Sequence, residues 1–127
     1  MKLISGIAVL LLLASCGNNA TDNNSTSASQ DGSPNGEQLF KINCSQCHMA
    51  NKDFVGPSLV GVESRWKDRQ LLYAYVKNSQ DVIQRDEYAK NLFLKFKQVP
   101  MLPFPNLTET EVDAIFKYCN DMGAASK

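Results

Sequence analysis

The sequence predicts a small all-α domain, and three observations carry that expectation. Apolar residues recur at helical spacing in several segments of the second half of the chain. Residues able to cap a helix stand in front of them. No pair of alternating runs suggests two paired strands. The first segment, NGEQLFKINCSQCH at residues 35–48, can open a helix with Asn35 as its cap and Gln38 reaching back. Phe40, Cys44 and Cys47 then share one helical face. Residues 49–62 contain Gly56, Pro57 and Gly61 and no sustained period, so they read as a loop. Residues 67–80 can form a second helix, capped by Asp68, with Leu71, Leu72, Tyr75 and Val76 on one face. Residues 85–98 can form a third, with Tyr88, Leu92 and Phe96 four apart and Ala89 and Phe93 beside them. Pro100, Pro103 and Pro105 forbid a regular element between residues 99 and 106. The last helix has the strongest signal. Thr108 and Glu111 form a capping box, Val112, Ile115, Phe116, Cys119 and Met122 form an apolar stripe, and Gly123 is a stop.

The chain has 127 residues, and the first part differs in character from the rest. Residues 3–14 are an apolar run after the basic Lys2, of signal-peptide core length and short for a membrane span. The run ends in Leu-Ala-Ser-Cys at residues 13–16. This resembles the lipobox of bacterial lipoproteins, which implies cleavage before Cys16 and acylation of its thiol. Residues 1–15 are therefore expected to be a lipoprotein signal peptide. Residues 16–35 are almost entirely Asn, Ser, Thr, Asp, Gly and Ala and are expected to be a lipidated, flexible polar tether. Residues 36–127 are left for one domain, exported and facing the periplasm from a bacterial membrane. Cleavage removes Lys2 from thirteen basic residues, leaving twelve against thirteen acidic ones, a net charge of about −1. There is no basic block, which argues against nucleic acid as a partner.

Export also sets the redox context, in which paired cysteines become disulfides unless otherwise used. With Cys16 acylated, Cys44, Cys47 and Cys119 remain. A zinc site would need Cys44, Cys47, His48 and Cys119 together, and ligation by the adjacent Cys47 and His48 is strained. A thioredoxin-like dithiol belongs to a strand–helix pattern that is missing here. The remaining reading is haem attachment, because Cys-Ser-Gln-Cys-His at residues 44–48 matches C-x-x-C-H. One turn of chain holds two thiols to add to the two vinyl groups of a single haem, and the adjacent histidine is thereby placed beneath the iron.

Beyond that motif, residues 36–122 resemble the class I c-type cytochromes. The likeness is carried by Gly36 and Phe40, by CSQCH, by GPSLVGV at residues 56–62, and by MLPFPNLTETEVDAIFKYC at residues 101–119. The resemblance implies a cytochrome c fold, about four or five short helices around one covalently bound haem c. It implies that Cys44 and Cys47 carry the thioethers, that His48 is the proximal iron ligand, and that the Pro57 carbonyl accepts a hydrogen bond from the other ring nitrogen. Phe40 with Phe116 or Tyr118 is expected to join the first and last helices. Arg65 and Trp66 could reach a haem propionate. Cys119 is expected as a buried free thiol.

The sixth ligand follows from elimination and from the resemblance together. Met1 is removed, Met49 adjoins His48 and cannot reach the other face of a planar haem, and Met122 belongs to the core stripe. Met101 sits in a proline-stiffened loop and is the distal ligand expected. Relatives commonly carry proline directly after this methionine, whereas here Leu102 intervenes. His/Met ligation favours ferrous haem and fills both axial positions, an arrangement for carrying electrons. The expected function is therefore electron transfer between respiratory-chain membrane complexes and a terminal oxidase or periplasmic reductase, by a non-enzymatic, lipid-anchored monomer that docks on redox partner proteins. The alternatives are a fixed cytochrome subunit of a larger respiratory complex and, less favoured, a five-coordinate haem enzyme or sensor.

Overall fold

The computed structural model describes residues 32–125; the expected signal peptide and Cys16 lie outside the described residues, as does most of the expected tether. Among the described residues there are five α-helices and one 3-10 turn, with no strand. The helices are α1 (Gly36–Asn43), α2 (Arg69–Lys77), α3 (Ser79–Arg85), α4 (Glu87–Lys95) and α5 (Glu109–Ala125), and the 3-10 turn covers Val62–Arg65. None of the described helices is long and apolar enough to cross a membrane. The all-α expectation therefore holds.

Helix α1 begins as expected, with Asn35 Oδ1 accepting from the Gln38 backbone N–H at 3.0 Å. It ends earlier than expected. Asn43 Nδ2 donates to the Leu39 carbonyl at 3.0 Å and Ser45 Oγ to the Lys41 carbonyl at 2.7 Å. These side chains take acceptors that a continuing helix would give to backbone N–H groups. The chain wraps instead, with the Cys44 and Ser45 N–H groups both on the Phe40 carbonyl and the Cys47 and His48 N–H groups on the Cys44 carbonyl. The cysteine motif thus lies on a tight turn after α1, not on its face.

Helices α1 and α5 cross closely. A β-carbon on Gly36 would stand 2.0 Å from the Ala114 carbonyl oxygen, so only glycine allows this approach. Beside the crossing, Phe40 and Tyr118 rings meet at 5.6 Å, the expected joining of first and last helices. Helix α5 carries the full capping box: the Thr108 N–H and hydroxyl both donate to Glu111 Oε2, at 2.8 and 2.9 Å, and the Glu111 N–H donates to Thr108 Oγ1 at 3.2 Å. Val112, Ile115, Phe116 and Cys119 are buried as expected, whereas Met122 is 44% exposed. Gly123 is not a stop, since the helix runs to Ala125. It makes room for Val60, whose Cγ2 lies 2.7 Å from where a β-carbon would be. Val60 thus covers the stripe's last turn at Gly123, and Met122 falls beside that contact.

The middle of the chain holds three helices where two were expected. Asn78 and Asp86 each end one helix and cap the next: Asn78 Oδ1 accepts from the Asp81 N–H at 3.4 Å, and Asp86 Oδ1 from the Ala89 N–H at 3.0 Å. Helix α2 starts on Asp68, whose Oδ1 accepts from the Leu71 N–H at 2.6 Å. It is tied to α5 where the Tyr73 hydroxyl and Arg69 Nη2 both donate to Asp113 Oδ1, at 2.6 and 2.7 Å. The proline-rich loop after α4 is attached to the α2–α3 corner twice. Ser79 Oγ donates to the Met101 carbonyl at 2.9 Å, and the Phe104 N–H donates to the Val76 carbonyl at 3.2 Å.

Candidate functional site

The core is hollow between the cysteine turn, the 56–62 loop, α2, α4 and the proline-rich loop. One cavity is lined by Cys44, Cys47, His48, Gly56 and Pro57 on one part and by Tyr75, Phe93, Phe96, Met101 and Phe104 on another. A second continues inward to Trp66, Leu72, Val112 and Phe116. The two share Cys44, His48, Pro57, Tyr75, Leu92, Met101 and Phe104, so they form one cleft. The walls are mostly aliphatic and aromatic, with the few polar groups concentrated at the cysteine turn.

His48 is fixed by two neighbours. Its Nδ1 lies 2.8 Å from the Pro57 carbonyl oxygen. A carbonyl only accepts, so Nδ1 carries the proton and Nε2 keeps its lone pair. The Gly56 backbone is also so close to the ring that a β-carbon would sit 2.5 Å from Cε1, 2.9 Å from Nδ1 and 3.0 Å from Nε2. Burial lowers the His48 pKa, and the Pro57 hydrogen bond opposes that shift more weakly. The lowered pKa favours the neutral imidazole, the form that ligates a metal.

The 56–62 loop can hold this geometry because it is bonded along its length. The Gly56 N–H donates to the Cys47 carbonyl at 2.8 Å, the Ser58 N–H to Asp53 Oδ1 at 2.9 Å, and Ser58 Oγ to the Ala50 carbonyl at 2.8 Å. The Gly61 N–H donates to Asn120 Oδ1 of α5 at 2.7 Å. Arg65 spends its guanidinium on the same loop, donating to the carbonyls of Val60, at 3.2 Å, and Ser58. Its side chain does not line the cleft. Trp66 does line the inner part, 7% exposed, with Tyr75 tilted against it and Tyr88 edge-on to it at ring centroids 4.8 and 5.0 Å away.

Cys44 is half-buried and Cys47 exposed, both at the cleft wall. Cys119 is fully buried in α5 and its pKa is pushed up to about 12, mainly by burial. Met101, half-buried, lines both parts of the cleft, whereas Met49 lines neither. The structure therefore brings Cys44, Cys47, His48, Pro57, Trp66 and Met101 to one cleft and leaves Arg65 at its loop. No cluster of three or more His, Cys, Asp or Glu that could hold a metal ion occurs among the described residues.

These residues fit a haem: an apolar cleft, two thiols and an imidazole on one turn, a glycine that admits the imidazole, and a thioether on a separate loop. Two contributors were missed from sequence. Tyr75 was read as part of a helix face, and that same periodicity aims it into the cleft. Ser79 carried no local signal, because its partner is 22 residues away.

The cytochrome c family model matches residues 33–122. The structure is similar to a cytochrome c from Rhodothermus marinus, with 28% identity, a TM-score of 0.57, and coverage of 72% of this chain and 76% of that one. An engineered form of the Rhodothermus marinus cytochrome c, bound to a carbene intermediate, is similar at 29% identity and a TM-score of 0.54, covering 71% of this chain and 75% of that one. No curated protein matches. The chain belongs to the cytochrome c family, as a class I monohaem member of all-α fold whose cofactor is one covalently attached haem c and whose chemistry is haem-based electron transfer.

Proposed function

We propose that this protein is a carrier of single electrons, with haem held by Cys44 and Cys47 and iron bound by His48 and Met101. It serves between membrane respiratory complexes and a terminal oxidase or periplasmic reductase. The observation that carries the reading is the presence of His48 and Met101, from separate loops, in both parts of one apolar cleft. Haem, when bound, supplies the one-electron ferric–ferrous couple. The chain does the rest. Cys44 and Cys47 hold the group covalently through thioethers. The Pro57 carbonyl keeps the proton on Nδ1 of His48, leaving Nε2 free and making it a better donor. The apolar walls keep water away, which limits solvent rearrangement when charge changes. Trp66 borders the inner slot where a propionate could lie, and Arg65 braces the loop that carries Pro57.

His48 and Met101 would both bind the iron and would leave a substrate no open site, which supports a carrier and not an enzyme. Acylation at Cys16 would hold this monomer to a bacterial membrane on the periplasmic side, and residues 16–35 would let it reach redox partners. The test is the absorption spectrum of the purified protein, oxidised and reduced, with Met101→Ala beside it. Wild type should be low-spin in both states with the ferric charge-transfer band of methionine ligation, and Met101→Ala should lose that band. An unaltered low-spin spectrum in the variant would remove Met101 from the assignment.

A further inference from the structure

Ser79 is the one buried polar residue among those described, 1% exposed, and it stands at the first position of α3. Its hydroxyl donates to the carbonyl of Met101 at 2.9 Å. The loop it reaches is poor in donors of its own. Pro100, Pro103 and Pro105 lack an N–H, and the neighbouring attachment to the helices is the Phe104 N–H on the Val76 carbonyl. Backbone position and side-chain aim are coupled at Met101, since the bonded carbonyl belongs to the same residue as the thioether.

We infer that Ser79 is a positioning residue for Met101: its buried hydroxyl holds the loop closed and so sets how rarely the methionine leaves the iron. This rests on the reading of Met101 as the distal ligand. A loop that swings away gives the Met101 carbonyl to water. The closed loop gives it to Ser79. Removing the hydroxyl leaves the carbonyl unpaired in the closed form alone, which shifts the population toward the open form. An added ligand binds only the open form, so its apparent affinity rises in proportion to that population.

The experiment titrates ferric, haem-loaded protein with imidazole. Ser79→Ala should bind imidazole roughly tenfold more tightly than wild type, about the effect of one unpaired buried carbonyl. Val82→Ala is the control, a fully buried residue on the same helix without a bond to the loop. It should lower the melting temperature and leave imidazole affinity near wild type. If both substitutions tighten imidazole binding alike, Ser79 is a packing residue and the inference is overturned. Should Ser79→Ala fail to retain haem, the near-isosteric pair Ser79→Thr and Ser79→Val decides: threonine should match wild type and valine should bind imidazole more tightly, and equal affinities overturn the inference. If ferric wild type lacks the methionine charge-transfer band, the ligand assignment itself fails and the inference with it. If the band is present and affinity does not respond to the hydroxyl, the ligand assignment stands and only the role of Ser79 falls.

Discussion

The α-carbon of Gly56 lies against the ring of His48, with space for hydrogen and none for a methyl group, which would meet Cε1 at 2.5 Å and Nδ1 at 2.9 Å. Gly56→Ala must therefore move the ring or the loop, and either lengthens the bond to Pro57. Overpacking of this kind destabilises by about 1–3 kcal/mol. The expected outcome is a lower melting temperature together with a changed haem spectrum. Gly61→Ala is the contrast. Gly61 has φ 65°, and its nearest neighbour is Ser64 Oγ at 3.9 Å, so a methyl group meets backbone strain and no ring. It should cost about 1–2 kcal/mol and leave the spectrum unchanged.

Helix α4 ends in a Schellman arrangement without the usual glycine. The Gln98 N–H donates to the Phe93 carbonyl at 2.9 Å and the Lys97 N–H to the Leu94 carbonyl at 3.2 Å. Lys97 and Gln98 both sit in the left-handed region, at φ 58° and 60°. Lys97→Gly relieves a side chain there and should stabilise by about 1 kcal/mol. For a domain of this size, that is a rise of roughly 4–8 °C in a thermal melt. No change or a fall would show that the strain is compensated by contacts of the Lys97 stem.

Acid should weaken the fold through capping carboxylates. The Ala89 N–H holds the Asp86 pKa below its ordinary value, with Lys67 adding to the effect; the Ser58 N–H does the same for Asp53, and the Thr108 N–H for Glu111. A depressed folded-state pKa means stability that is present above the unfolded value, about pH 4, and lost as pH falls through the lower folded value. Melting temperature should therefore fall below about pH 4. Asp86→Asn keeps a capping oxygen but loses the charge, so it should lower the melting temperature at pH 7 and shrink the further fall in acid. An identical acid slope in the variant would remove Asp86 from the account.

Cys119 is completely buried, and its thiol is pushed far from ionisation at neutral pH. A maleimide at pH 7 should leave Cys119 unlabelled in the native, haem-loaded protein. In denaturant Cys119 should label, while Cys44 and Cys47 should stay unreactive as thioethers, read peptide by peptide in a mass spectrometer. Labelling of Cys44 or Cys47 would mean the covalent attachment is incomplete.

The sequence showed the ends of elements where side chains act on their own neighbourhood. Asn35, Asp68, Thr108 and Glu111 all cap as their spacing implies. Helix α3 was hidden because Asn78 and Asp86 interrupt a run whose apolar residues, Val82 and Ile83, are too few to show a period. Met122 and Gly123 were misjudged for a different reason: what lies against the end of α5 is Val60, far away in sequence. The site divided along the same line. C-x-x-C-H is local and was readable. The closeness of Gly56 to the His48 ring, the turn of Arg65 toward its own loop, and the bond from Ser79 exist only once the chain is folded.

Helix α1 has one further consequence. It enters the fold at Gly36, where residues 33–37 lie along α5, and it delivers Asn43 to the rim of the cleft, roughly 12 Å further along for eight residues at 1.5 Å each. Gly36, where the chain enters the domain, thus stands one helix length from the haem slot and not across its opening. The entry point and the opening are therefore separate parts of the domain, and a change made at Gly36 acts on the α1–α5 crossing before it acts on the slot.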